Sequence, residues 1–543
     1  MYDVKITGGT VVDGLGGRGY RADVGISGDM IASIGDLSGA EAKTTIDATG
    51  KVVAPGFIDM HTHSDVSMVY DRKTSSKIRD GVTSEVIGNC GIGVTPVSEE
   101  RKEQLVAYLG TRLVGSIPVT LELPWNSVDD YLGYFEKNPP AANVVPLLAH
   151  GAVRINEMGF AKELPTPAQM DAMKREIAKG MEAGCVGLSS GLVYMPGEYS
   201  TTEELAELCS AAAPYGAFYV THIRTESEGV FEALDEAITI ASKGGTPLHV
   251  SHLKLAGVDV AGNADRLLGM IDKARADGLD VTFDVYPYDM GCTSLGACMP
   301  PWAFEGGVEK LLERLRDGSV RERIKNDILK GIKGWQNFAH ASGGWQNIVI
   351  ATVYTKEGEK YLGKTIEEAS AMEGKDPFEF VFDFLIQQKS RVQILVKMML
   401  EEDIEKIIRH PLSMIGSDGM SLSAEGILGT GKPHPRAFGT RGRILGRYVR
   451  EKKLLSLETA VEKMTSMPAA RLRLDRRGVL KEGYFADVTV FNPDTVEDRA
   501  TYQDPKQYSA GFDAVIVNGE IALKDGVESA AFSGRVLRAR REA

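Results

Sequence analysis

The sequence predicts an α/β protein, and two observations carry that prediction. Between about residue 55 and residue 470, short apolar segments alternate with polar, helix-patterned ones, whereas both ends of the chain are β-rich. Buried apolar strands alternating with helices imply βα units and a parallel sheet. The candidate strands are GFIDMH, SEVIGNC, NVVPLLAH, CVGLSS, AFYVTH, PLHVSH, LDVTFDVY and SMIGSD. Eight of them invite a (β/α)8 barrel; a doubly wound sheet satisfies the same alternation.

The first fifty residues carry β-branched runs broken by Gly and Asp: VKITGGTVVDG, ADVGISGDMIASIGD and TIDATGKVVAPG. YFADVTVFN, AVIVNGEIAL and AFSGRVLRAR repeat that texture at the other end. Segments 1–54 and 470–543 therefore read as one small sheet domain flanking a central domain over 55–469. Within the centre, helices are expected over Thr166–Ala183, Thr202–Ala212 and Gly229–Ser242. After VTFDVYPY the chain takes over a hundred residues to reach SMIGSD. Val308, Leu311, Leu312 and Leu315, then Ile324, Ile328 and Ile332, follow helical spacing there. An insertion at about 288–345 is expected to form a lid or binding loop.

Composition narrows the function. The chain has 543 residues, 43% hydrophobic and 25% charged, the balance of an ordinary globular protein. A formal net charge of −13 disfavours nucleic acid or anionic lipid as the main partner. There is no run of ~18 apolar residues to span a membrane, and MYDVKITGG lacks the pattern of a secretory signal. Five cysteines are too few, and odd in number, for a disulfide framework. A cytoplasmic enzyme acting on a small molecule is the expectation.

The chemistry sits at strand ends. His61 and His63 share one face if the strand of GFIDMHTH continues through them. Cys90 ends SEVIGNC, 27 residues after His63; His222 ends AFYVTH and His252 ends PLHVSH, 30 residues apart. One βαβ step takes ~30 residues, so these side chains occupy equivalent ends of successive strands. Asp418 of MIGSDG adds a carboxylate after the last candidate strand. Imidazole, thiolate and carboxylate meeting at one mouth form a zinc-type ligand set. His249 is expected to face the other way, as a core or helix-facing residue, and His150 to be structural. His340, His410 and His434 read as loop residues, and Asp59 or Asp65 as a partner orienting an imidazole.

VAPGFIDMHTHSD, the histidines of THIRTE and SHLK, and IGSDG resemble the amidohydrolase superfamily. GNCG, GLVYMPGEYS, DVYPY, KPHPRAFGT and LGRYVRE resemble its N-acyl-D-amino-acid deacylase (D-aminoacylase) branch, over nearly the whole chain. The resemblance implies a (β/α)8 TIM-type barrel with a flanking β-sandwich, and hydrolysis of the amide of N-acyl-D-amino acids. It implies a tight Zn2+ on Cys90, His222 and His252, and a second, weaker site on His61, His63 and Asp418. Asp418 is then the general base, and Tyr194 matches a tyrosine that hydrogen-bonds the developing oxyanion.

For the substrate carboxylate, Lys254 lies two residues past His252, and the resemblance adds Tyr286 and a serine six residues beyond it. Here that position is Cys292, followed by Thr293 and Ser294, either of which is a candidate substitute. Arg436 is a further anion anchor or an ion-paired loop residue. Arg441 and Gly442 stand where relatives tend to have an apolar residue and a proline, and Arg441 is expected in a solvated loop. A cyclic-amide hydrolase of hydantoinase or dihydroorotase type is the first rival, and needs a lysine that CVGLSSGLVY lacks. A non-catalytic assembly protein of the same fold is the second.

Overall fold

The computed structural model describes residues 1–114 and 121–539, so the end of the C-terminal segment, 540–543, lies outside the described residues. The chain folds as α/β. Five N-terminal strands, β1 (Tyr2–Val11), β2 (Tyr20–Ser27), β3 (Met30–Gly35), β4 (Ala42–Asp47) and β5 (Val52–Pro55), belong to one sheet. Four C-terminal strands complete it: β18 (Val488–Phe491), β19 (Phe512–Val517), β20 (Glu520–Lys524) and β21 (Val527–Glu528). The two ends join where β18 runs antiparallel to β5, with Val490 opposite Val53. Alternation puts Val4, Ile6, Val24, Ile26, Val53, Val488, Val490 and Ile516 into one buried cluster.

Between these ends lie the parallel strands. β6 (Phe57–Asp59), β7 (Val82–Ile87) and β8 (Asn143–Pro146) form one sheet. β9 (Leu148–Ala149), β10 (Gly187–Gly191), β11 (Phe218–His222), β12 (Leu248–Val250), β13 (Val281–Val285) and β17 (Ser413–Ile415) form another, in that spatial order. Only Leu147 separates β8 from β9, and a parallel bridge links Thr62, past β6, to Gly419, past β17. All eight expected strand segments are strands. The connecting helices fall where the periodicity placed them. Helix Pro167–Glu182 starts at a Thr166–Gln169 capping box, with Pro167 pre-set for the first turn, and buries Met170, Met173, Ile177 and Met181. Helices Thr202–Ala212 and Val230–Gly244 fill the next two connections.

The long excursion carries its own small sheet. β14 (Met290–Ser294), β15 (Ile348–Thr352) and β16 (Gln393–Lys397) pair antiparallel in the order β14–β16–β15. Helix Val308–Arg314 buries Val308, Leu311 and Leu312, and helix Gly318–Lys330 buries Ile324 and Ile328. Ile332 falls just beyond the second helix.

Arg441 corrects the sequence reading. It is fully buried in helix Arg436–Arg443, not solvated in a loop. Its Nη1 lies 2.9 Å from Asp59 Oδ2, and Nη2 donates to the carbonyl of Ile415 at 3.3 Å. Lys77 Nζ meets the same Asp59 oxygen at 2.9 Å and donates to Ser417 Oγ at 2.7 Å. A cation is tolerated in this interior because the buried Asp59 carboxylate receives it. Removing one member of such a network strands the rest, so Arg441→Met should destabilise the protein by about 3 kcal/mol. Chemical unfolding would read this; a change below 1 kcal/mol (of the order of an exposed pair) would contradict it.

Candidate metal centre

The six expected ligands come together although most stand just beyond a strand rather than in one. His61 and His63 follow β6, and their rings lie 5.3 Å apart. Cys90 occupies a turn, Asn89–Gly91, after β7, with φ 54° and ψ 28°. The turn is tight because Gly88, at φ 81°, backs against the Leu147 carbonyl: a Cβ there would lie 2.4 Å from that oxygen. Asn89 Nδ2 donates to Val86 O at 2.9 Å and pins the turn to β7. His222 is the last residue of β11. His252 (φ 35°) and Asp418 (φ 51°) are also left-handed, two and three residues past β12 and β17.

Cys90 Sγ lies 3.3 Å from His61 Nε2 and 3.5 Å from His252 Nε2. Asp418 Oδ1 lies 3.1 Å from His63 Nε2 and 3.5 Å from His61 Nε2. Three overlapping sets have ligand atoms within 4.8 Å of one another: Cys90–His222–His252, His61–His63–Cys90 and His61–His252–Asp418. The donors suit zinc by type. Both ring nitrogens of His222 and Nδ1 of His63 are buried without a hydrogen-bond partner, so the site offers lone pairs that the protein itself leaves unused.

Electrostatics agree with that fit. Burial works against ionising Cys90, but the imidazoles of His61 and His252 hold its thiol well below the usual range. Burial lowers His222 against the pull of Glu226, leaving a neutral ring. Burial also opposes the charge on His63, yet the Asp418 and Cys90 contacts push it up to about 9. A divalent cation would displace such protons from the imidazoles while keeping the thiolate charged.

The orienting partners differ from those expected. Asp284, not Asp59 or Asp65, faces His61: its Oδ2 lies 3.2 Å from His61 Nδ1. The same oxygen is 3.0 Å from His249 Nε2, so His249 is the core residue expected and shares this buried carboxylate with His61. Strand parity fails between 249 and 252 because β12 ends at Val250. Asp59 instead accepts from Ser417 N and Oγ, at 2.9 and 2.6 Å, which braces the turn carrying Asp418. Asp65 stays apart from the imidazoles' hydrogen bonds, and burial pushes its carboxyl up to about 6. Glu226, four residues past His222 in THIRTE, is a further partner: Oε1 lies 3.0 Å from His252 Nδ1 and accepts from Lys254 Nζ at 2.5 Å. Lys254 Nζ lies 2.7 Å from the same Nδ1, so both partners engage that nitrogen and leave His252 Nε2 for Cys90's side. Only the spacing from His222 hinted at Glu226.

A cavity opens onto these groups and is also lined by Tyr194, Lys254, Tyr286, Cys292, Thr293, Ser294 and Arg436. Tyr194 stands edge-on to His222, centroids 5.2 Å apart, with its OH 3.3 Å from Thr293 Oγ1. Arg436 Nη1 lies 2.8 Å from Asp418 Oδ2, and its guanidinium carbon lies 5.0 Å from the Tyr286 ring centroid. Arg436 thus is buried beside the candidate ligands and opens a helix, not a loop. His434 is a loop residue, as expected, but a buried one: it lines the cavity and donates from Nε2 to Met290 O at 2.9 Å. His150 faces Glu204 at 3.5 Å, away from the cavity; His340 lies in a short helix beside Asp259, and His410 beside Asp272. Where the cyclic-amide rival needs a lysine, β10 carries Ser189 and Ser190.

Comparisons with known proteins give the family. Residues 44–523 match the model of the amidohydrolase family. N-acyl-D-glutamate deacylase of Alcaligenes xylosoxydans xylosoxydans is 36% identical over 536 residues, 99% of this chain and 96% of the relative. A D-aminoacylase structure described for its binuclear metal centre superposes with TM-score 0.81 at 32% identity, covering 99% of this chain and all of the other. N-acyl-D-glutamate deacylase of Bordetella bronchiseptica, solved with zinc and a phosphonate mimic of the tetrahedral intermediate, gives TM-score 0.82 at 32% identity with the same coverage. With its metal-type cluster at strand ends and full-length likeness to these enzymes, the chain belongs to the amidohydrolase family.

Proposed function

We propose that this protein hydrolyses the amide bond of N-acyl-D-amino acids, releasing a carboxylate and a free D-amino acid, with zinc as its metal. The observation that carries the reading is the Cys90–His222–His252 set with Asp418 and Arg436 facing it across one cavity. In this reading Cys90, His222 and His252 hold the tight Zn2+, while His61, His63 and Asp418 form a second, weaker position. When bound, zinc polarises a carbonyl and lowers the pKa of water, which is the chemistry amide cleavage needs.

The side chains supply the rest. Burial opposes charge on Asp418, but Arg436 holds its carboxyl well below the ordinary range, so it is ionised at neutral pH. It takes a proton from the attacking water as the C–O bond forms, and delivers that proton to nitrogen as the C–N bond breaks. Burial pushes the Tyr194 phenol above its usual range, keeping its O–H as a donor for the developing oxyanion. Lys254, Tyr286 and Arg436 receive the substrate α-carboxylate, with Thr293, of the two candidate hydroxyls, standing in for the one that Cys292 lacks.

The same reading takes the eight parallel strands as a closed (β/α)8 TIM-type barrel over 55–469. Continuity of β8 with β9 and the Thr62–Gly419 bridge support closure. Segments 1–54 and 470–543 then make a β-sandwich beside it, and the insertion at about 288–345 a lid whose β14 lines the cavity. Free thiols at all five cysteines suit a cytoplasmic enzyme, and among the described residues no helix is long and apolar enough to cross a membrane.

A panel of N-acetyl and longer N-acyl D- and L-amino acids, with zinc content measured alongside, tests the reading. Turnover confined to the D series is expected. Zinc-loaded protein that cleaves no member of the panel would overturn it.

A further inference from the structure

Three side-chain cations line the cavity: Lys254, Arg436 and Arg112. The first two each have a carboxylate of the protein as partner, Lys254 with Glu226 at 2.5 Å and Arg436 with Asp418 at 2.8 Å, and both belong to the α-carboxylate position of the proposed function. Arg112 differs. Among the described residues its side-chain contacts are with aromatic rings, Tyr108 at 5.7 Å from the guanidinium carbon among them, and with a hydroxyl, not with a carboxylate. Its guanidinium sits 4.2 Å from the centroid of the Tyr194 ring, and Nη1 donates to Ser294 Oγ at 2.8 Å. Its Nε is buried with no partner at all. Gln393 Nε2 donates to the Arg112 carbonyl at 3.1 Å, so the backbone bearing the cation is tied to the excursion's sheet.

A half-buried guanidinium held against a neutral hydroxyl and an aromatic face, with a donor left unmet, is costly unless an anion arrives. The fork geometry fits a carboxylate, and Ser294 can turn its own O–H to the same ligand. The α-carboxylate common to every N-acyl amino acid is not that anion. It lies two bonds from the amide nitrogen, beside the reacting carbonyl, where Lys254 already stands next to His252. Arg112 stands one aromatic ring removed from His222. We infer that Arg112, with Ser294, receives a second carboxylate of the substrate, carried either on the D-amino acid side chain or at the far end of a dicarboxylic acyl group. The inference rests on the deacylase reading and refines it to dianionic substrates.

The test compares kcat/KM for N-acetyl-D-glutamate against N-acetyl-D-glutamine, and for N-succinyl-D-leucine against N-acetyl-D-leucine. One dianion should exceed its monoanionic counterpart by about 100-fold, the discrimination of a site built to pair a charged group. The glutamate arm places the second carboxylate on the side chain, and the succinyl arm on the acyl group. Arg112→Met should collapse that ratio, whereas a merely structural role would lower both members and leave it unchanged. Arg112→Lys, which keeps the charge and loses the fork, should retain part of it. Neither dianion being favoured, or an unchanged ratio in Arg112→Met, would overturn the inference. Calorimetric binding of glutarate to the holoenzyme needs no turnover and separates this failure from that of the deacylase reading. Glutarate should bind at least ~10-fold more weakly to Arg112→Met than to the native protein, and equal binding would count against Arg112.

Discussion

Asp418→Asn should leave the tightly bound metal in place and lower kcat by about 10²–10⁴-fold, the usual contribution of a positioned proton carrier. Asparagine preserves the volume and the turn that Ser417 and Asp59 brace. What it removes is the negative charge facing Arg436 and His63 and, with it, the lone pair that accepts the proton. The loss should therefore fall on kcat more than on KM. Metal analysis and steady-state kinetics on one preparation suffice. Near-normal turnover would move the base elsewhere, and loss of the tight metal would make Asp418 a primary ligand instead.

Cys90→Ala should abolish tight zinc binding. Removing an outer partner of a metal ligand costs about 10–100-fold in affinity; deleting the thiolate itself should cost more. Cys90 also belongs to two of the three overlapping ligand sets, so no neighbouring set replaces it fully. Zinc content after dialysis against a chelator is the readout, and a lower Tm should accompany it because bound metal stabilises the folded state. Full retention of zinc would remove Cys90 from the centre.

Much of the architecture was legible in the amino-acid order, because apolar runs such as AFYVTH and CVGLSS can only be buried strands when helices with capping signals separate them. The candidate centre was legible through residue type: histidine, cysteine and aspartate placed where strands finish. Its supporting shell was not. Asp284 reaches His61 and His249 from strands far apart in sequence, and Arg441 finds its counter-charge on Asp59 across the whole central region. Nothing local to KPHPRAFGTRGR distinguishes a guanidinium destined for solvent from one destined for a buried carboxylate. Parity failed at His252 for a related reason: a left-handed turn ends the alternation before the functional residue. Arg112 gave no signal, since its partners Ser294, Tyr194 and Gln393 come from three distant segments.

The union of β5 with β18 bears on how the protein is made. At about 5–20 residues per second, a ribosome that has finished β5 at Pro55 needs about 20–90 s to deliver Val488. Throughout that interval the nascent N-terminal ribbon holds an open edge awaiting its last partner, a template for pairing with a neighbouring polypeptide. Chains cut short before β18 should thus be the species that chaperones and proteases must intercept, whereas those that extend past it can seal that seam.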